Sequence, residues 1–397
     1  MDPNETIGVY TAAAQATDPV ATATVTDDAS PLPSDAPRLL PPRRRTRLLL
    51  CVDGGGVRAR ATSRFLEHLE TALGRRLHDV FDMFAGTSAG SFIAAGFACG
   101  RYNAREVRSL SGTANSRRVF SQTWCQWASS KLLYRPKYGG AGKADVLREM
   151  FTRTAADSTP MRMCDVPKPL VVAVTEVRDT TSVDWAFKST GTDGRCEYSV
   201  GEVCDASSAA PTYFPGVVLG GGGGGGGTGP PASVYVDGGL SFNDPVMLAV
   251  LEAQELWPSD NIAVLSLGTG RAPVAYGGAR VRRYGMLQWL PLLFEVLLDN
   301  SRSEVLVKEW CEVSSQRRYM RVNSTLPPSV SPALDDTSDE NMAALKALGD
   351  AWWERFGDAT LAFVRGDDEN ITQATAAPPA PASTATTGSL VVPVVSQ

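Results

Sequence analysis

Ser88 stands at the centre of Gly86-Thr87-Ser88-Ala89-Gly90, a G-x-S-x-G between a short apolar run and a stretch of small residues. In that context the pattern specifies a tight turn from strand to helix. Such a turn strains the serine backbone and presents its hydroxyl at a helix N-terminus, whose dipole favours a developing anion. Gly86 and Gly90, two before and two after, leave room for close packing. The competing reading is a small-residue turn that merely packs a helix on a sheet. A serine hydroxyl is a weak nucleophile and needs a base. The sequence has two histidines, His68 and His78, and both precede Ser88. A triad in the order serine, acid, histidine therefore has no histidine to complete it. The base is sought among carboxylates and lysines.

Two glycine-bearing motifs supply the rest of such a site. Asp53-Gly54-Gly55-Gly56-Val57-Arg58 follows an apolar run, and its glycines let backbone N–H groups approach an anion closely. The segment lacks the Lys of G-x-x-x-x-G-K-[ST] and the later glycines of G-x-G-x-x-G, so nucleotide readings fail. An oxyanion hole fits, with Gly54, Gly55 and Gly56 as donors and Arg58 as a brace. Against that brace stands the reading of Arg58 as an ordinary surface guanidinium. The other motif is Val236-Asp237-Gly238-Gly239, expected to end a strand at the same carboxyl edge of a sheet as Ser88 and the glycine loop. Asp-Gly alone is common in plain turns; three such strand-end motifs in one chain make coincidence a poor account.

The elements that must hold these residues alternate between strand and helix. Leu48–Val52, Phe81–Ala85, Pro169–Val174, Ser233–Val236 and Ile262–Leu267 read as short buried strands. Thr62–Leu77, with Phe65, Leu66, Leu69, Leu73 and Leu77 at helical spacing, and Ala89–Cys99 read as helices. The pattern predicts an α/β fold, a mainly parallel central sheet covered by helices on both faces. Residues 1–46 and 367–397 are low in large apolar side chains and are expected to be disordered tails around a 47–366 domain. Gly220–Gly227, eight consecutive glycines, reads as a surface loop between two strands.

Composition narrows the function classes. Hydrophobic residues are 43% and charged residues 20% of 397, which excludes a wholly disordered chain, a collagen and a disulfide scaffold. A net charge of −5 leaves no positive field for nucleic acid. Seven cysteines without a C-x-x-C pair predict reduced thiols and no zinc site of that kind. No secretory leader and no spanning segment are expected, which predicts a cytoplasmic protein.

Taken together, D-G-G-G-x-R, G-x-S-x-G and D-G-G resemble the patatin-like phospholipases. The resemblance extends through Ala206–Pro215, through Asn243-Asp244-Pro245 and through Leu265-Ser266-Leu267-Gly268-Thr269-Gly270. It continues in Tyr319-Met320-Arg321-Val322 and in Leu334-Asp335-Asp336 through Leu345, and it covers about Leu48 to Phe356. It implies a lipid acyl hydrolase in which Ser88 is the nucleophile and Asp237 the proton acceptor. The Asp53–Arg58 loop would stabilise the oxyanion, and Gly238 and Gly239 would support the aspartate. It also implies no metal and no organic cofactor. Two departures stand out: Ala59 follows the loop arginine where relatives commonly have glycine, and the Gly220–Gly227 run precedes the Asp237 strand.

An acyl-lipid substrate implies peripheral contact with a membrane or micelle interface, with no obligate protein partner. Tyr284–Asn300, with Trp289, has the composition of an interfacial amphipathic helix, although a core helix suits the fold better. Arg43, Arg44, Arg45 and Arg47 offer charge to anionic lipid or are simply solvated. Trp124, Trp127, Tyr134 and Tyr138 fall in an insertion suited to a lid or an acyl-pocket wall. Two other functions remain open at this level: a lipid acyltransferase on the same dyad, and a catalytically silent lipid-binding relative.

Overall fold

In the apolar run Leu48–Val52, alternate side chains must leave a sheet by opposite faces, and each face needs its own cover. A computed structural model of the chain describes residues 8–11, 44–123, 135–152, 159–177, 182–192, 194–220, 232–272 and 301–367. It shows that division. Leu50, Val52 and Phe84 enter one buried cluster, while Leu49, Cys51, Met83 and Ala85 enter the other. The first, larger cluster includes residues of the helices Ala59–Leu73, Ala89–Ala98 and Asp339–Arg365. The second is covered by the helices Val246–Leu256 and Ser301–Glu312. Helices on both faces of one sheet follow from strands that are apolar throughout.

Among the described residues the sheet has nine strands: β1 Gly8–Thr11, β2 Thr46–Val52, β3 Met83–Thr87, β4 Leu170–Val177, β5 Ser182–Lys188, β6 Val217–Leu219, β7 Ser233–Asp237, β8 Asn261–Leu267 and β9 Arg317–Val322. Their order is β1-β9-β8-β2-β3-β4-β7-β6, with β5 also on β4. Strands β9, β8, β2, β3 and β4 are mutually parallel, whereas β1, β5, β6 and β7 pair antiparallel. The α/β class and mainly parallel sheet expected from the sequence are what the chain forms.

Three local expectations change. The first long helix starts at Ala59 rather than Thr62, because the glycine loop's 3-10 turn Gly56–Arg58 feeds directly into it. Gly8–Thr11, inside a segment expected to be unstructured, pairs with Arg318–Arg321 of β9, and Thr46 already belongs to β2. The outer backbone groups of β9 need a partner, and β1 supplies it. Thirdly, β7 runs antiparallel to β4, so Asp237 reaches Ser88 as the last residue of an opposed strand rather than of a parallel neighbour. Tail positions 1–7, 12–43 and 368–397, together with Gly221–Gly227, Trp124, Trp127, Tyr134 and Tyr284–Asn300, lie outside the described residues.

Candidate active site

Register decides how Ser88 and Asp237 meet. Strand β5 occupies one edge of β4 over Val171–Val177. On the other edge β3 pairs up to Ala173, opposite Thr87, and β7 pairs down to Val174, opposite Asp237. Two strands running in opposite senses therefore end head-on at consecutive residues of β4. The Ser88 hydroxyl donates to Asp237 Oδ2 at 2.8 Å. Asp237 Oδ1 accepts the Gly239 N–H at 2.7 Å, which fixes the plane of the carboxylate.

The serine sits in the strained conformation that its motif predicts, at φ 51° and ψ −127°. Such a conformation costs on the order of 1–3 kcal/mol and persists only where its surroundings enforce it. Close approach of the backbone is one such enforcement. A side chain on Gly90 would run into the carbonyl oxygens of Val52 and Asp53, and one on Gly86 into Gly90. A second is the Ser207 hydroxyl, which accepts the Ser88 N–H at 2.9 Å and donates to the Ala173 carbonyl at 2.6 Å. The same turn holds the aspartate, since Asp237 N donates to Ala209 O and Gly238 N to Ser207 O, each at 3.1 Å.

The glycine loop lies beside this pair but does not offer all three of its N–H groups. The Gly54 N–H donates to the Asn243 carbonyl at 3.1 Å, so the expectation of Gly54 as an anion donor is corrected. Gly55 and Gly56 line the cleft together with Ser88 and Asp237. Gly56 has φ +57°, and its neighbour Val57 donates to Leu334 O at 2.9 Å. Arg58 is 3% exposed, not a surface group, and its Nε donates to the Gly55 carbonyl at 3.4 Å. Ala59 has φ −57°, so the residue that departs from the family pattern carries no strain.

Beside the pair opens a cleft. Phe92, Ile93, Val107, Leu110, Val146 and Met150 contribute apolar lining. Of the aromatics proposed for a pocket wall, Tyr138 packs against Phe120 and Phe214, which line the cleft, and donates to Asp335 at 2.6 Å. A polar pair at one side of an apolar cleft suits an ester carrying a long hydrocarbon chain.

Residues 50–250 match the family model for patatin-like phospholipase. A cGAMP-activated phospholipase of Pseudomonas aeruginosa is 30% identical over 354 residues, covering 82% of this chain and 97% of that one. Patatin-like protein 1 of Oryza sativa subsp. indica is 27% identical over 340 residues, covering 76% and 80%. This chain belongs to the patatin-like phospholipase family. Among solved structures, human GIVD cytosolic phospholipase A2 aligns at 11% identity and a TM-score of 0.43, over 80% of this chain and 60% of that one. The patatin-like chain is an ester-hydrolysing enzyme of lipids. Among its described residues no helix is long and apolar enough to cross a membrane.

Electrostatics in this patatin-like site turn on burial. Desolvation pushes the Asp237 carboxyl up from 3.8 to about 6, while the Gly239 N–H, the Ser88 hydroxyl and the charge of Lys143 pull it back. Lys143 was not visible as a site residue in the sequence. It is 1% exposed, lines the cleft and donates to Asp205 O at 2.9 Å and Ser208 Oγ at 3.1 Å. Its ammonium lies 4.4 Å from the Phe214 ring centroid, and burial lowers its pKa while Asp205 raises it. Arg321 was missed as well. Fully buried, it grips both carboxylate oxygens of Asp53 and donates to Ser266 Oγ at 2.6 Å, anchoring the start of the glycine loop. Both histidines are engaged elsewhere, His68 with Asp350 at 2.7 Å and His78 with the Phe97 carbonyl at 2.8 Å.

Proposed function

We propose that the protein is a phospholipase A-type acyl hydrolase working through a Ser88–Asp237 dyad. The observation that carries this reading is the 2.8 Å hydrogen bond from the Ser88 hydroxyl to a buried Asp237 carboxylate beside an apolar cleft. Asp237 takes the Ser88 proton as Oγ bonds to the acyl carbonyl carbon. The resulting oxyanion lies against the Gly55 and Gly56 N–H groups, at the helix N-terminus that follows Ser88. Collapse breaks the ester C–O bond, and Asp237 returns its proton to the departing lysolipid alkoxide. A water then attacks the acyl-enzyme, giving one proton to Asp237 and its oxygen to the fatty acid. That proton finally restores the Ser88 hydroxyl.

A carboxylate with an ordinary pKa near 3.9 is a feeble base toward an alcohol. Raising Asp237 to about 6 strengthens it while leaving it ionised at neutral pH. The apolar cleft supports a fatty-acyl chain as the bound part of the substrate, delivered from a membrane or micelle surface.

A fluorophosphonate probe tests the reading. It phosphonylates only an activated serine, so peptide mapping should find the label on Ser88 and lose it in Asp237→Asn. Unlabelled protein, or equal labelling of the variant, contradicts the dyad. Fatty acid as the sole acyl product in the presence of an acceptor alcohol marks hydrolysis; an acyl ester of the alcohol marks transfer.

A further inference from the structure

Away from the cleft, two cysteines distant in sequence are brought together. Cys164 sits in the 3-10 turn Met163–Asp165 and Cys196 in the turn Arg195–Glu197. Backbone pairing fixes the two turns side by side: Arg162 bridges Ser199, Met163 N donates to Tyr198 O at 2.9 Å, and Val200 N donates to Met161 O at 2.8 Å. As a result the two Sγ atoms and a carboxylate oxygen of Glu197 lie within 4.8 Å of one another. Cys164 Sγ is 3.8 Å from Glu197 Oε1. The other carboxylate oxygen, Oε2, accepts from Arg162 Nη1 at 2.6 Å, and Arg162 also holds Asp165 at 3.0 and 3.2 Å. One oxygen is thus anchored and the other turned to the thiols, the arrangement by which outer partners orient a ligating carboxylate.

We propose that Cys164, Cys196 and Glu197 form a three-ligand site for a zinc-class divalent cation. Zinc bonds of roughly 2.3 Å to sulfur and 2.0–2.2 Å to oxygen place tetrahedral ligand atoms about 3.5–3.8 Å apart. The separations of 4.8 Å or less exceed that spacing by about 1 Å at most, and the Cys164–Glu197 distance already matches it. Thiolate ligands select zinc over magnesium or calcium. Each cysteine releases its proton to solvent as it binds the ion, and a water completes the tetrahedron. Cys164 is exposed and Cys196 half-buried, so the ion has a path in. Cys51, Cys99, Cys204 and Cys311 are buried and do not compete. None of the three ligands lines the cleft. The site instead ties the turn ahead of β4 to the turn ahead of the helix Val200–Ser207, whose last residue holds the Ser88 N–H.

Cobalt(II) titration of the reduced, chelator-treated full chain tests the site, because sulfur-to-cobalt charge transfer absorbs in the near ultraviolet. We expect the band to saturate near one ion per chain, to disappear on adding zinc and to be lost in Cys164→Ser and in Cys196→Ser. Circular dichroism identical to wild type verifies that both variants are folded. Glu197→Gln should weaken binding and keep the thiolate band. Absence of the band overturns the proposal, as does its survival in the double cysteine variant. A Cys164–Cys196 disulfide that forms in protein unable to bind the ion after reduction also overturns it.

Discussion

Thr87 and Asp237 are the last residues of two strands that meet head-on along one edge of β4, opposite the consecutive residues Ala173 and Val174. The next residue after Thr87 is Ser88, so the register of the sheet brings hydroxyl and carboxylate together. No loop has to reach across the site. A pair fixed by backbone hydrogen bonds is held more rigidly than one carried on mobile segments.

The pH profile should follow Asp237. Its carboxyl must be ionised to accept the Ser88 proton, so kcat/KM should fall as pH drops through about 6. Lys143 is the cation that draws this pKa down. Lys143→Met should move the acid limb upward in pH, a shift that a purely structural role for the lysine would not produce. An unmoved limb in a folded variant removes Lys143 from the account.

Stability should show the cost of keeping Asp237 charged. Its folded pKa of about 6 lies above the unfolded 3.8, so its contribution is fully present below pH 4 and is lost as pH rises through 6. The loss amounts to about 3 kcal/mol for a two-unit shift. Asp237→Asn, which does not titrate, should therefore gain stability relative to wild type between pH 4 and pH 7. Denaturant unfolding of both proteins at the two pH values reads this difference directly.

Ser207 joins the serine turn to the sheet. Ser207→Ala leaves the Ser88 N–H and the Ala173 carbonyl without that partner, which should cost about 1–3 kcal/mol. The variant should also lower kcat more than it raises KM, because Ser88 loses its support while the apolar lining is untouched. Urea unfolding and steady-state kinetics separate the two effects.

Arg321 neutralises a buried acidic pair. Arg321→Leu would remove the guanidinium that the buried Asp53 and Asp244 both face, at a cost of roughly 3–5 kcal/mol. A midpoint of chemical denaturation close to that of wild type would contradict this.

Much of the site was legible in the sequence because its residues sit in short motifs with fixed local geometry. Ser88 and the close packing at Gly86 and Gly90 need only a strand-to-helix turn, and the motif specifies one. The rest depends on pairings between distant segments. That Gly54 donates to Asn243, that β7 runs antiparallel and that Arg321 reaches Asp53 are facts of register, and no local pattern encodes them. Lys143 was hidden for a different reason. A lysine in a helix such as Ala141–Phe151 is usually solvated, and only its place beside Phe214 and Ser208 shows that it is buried at the cleft.

Fatty-acid release from phosphatidylcholine vesicles, measured for wild type beside Ser88→Ala, tests the central claim most directly. The account predicts steady release by wild type and a loss of at least about 10²-fold in the variant, with its circular dichroism unchanged. Comparable release by folded Ser88→Ala would contradict it.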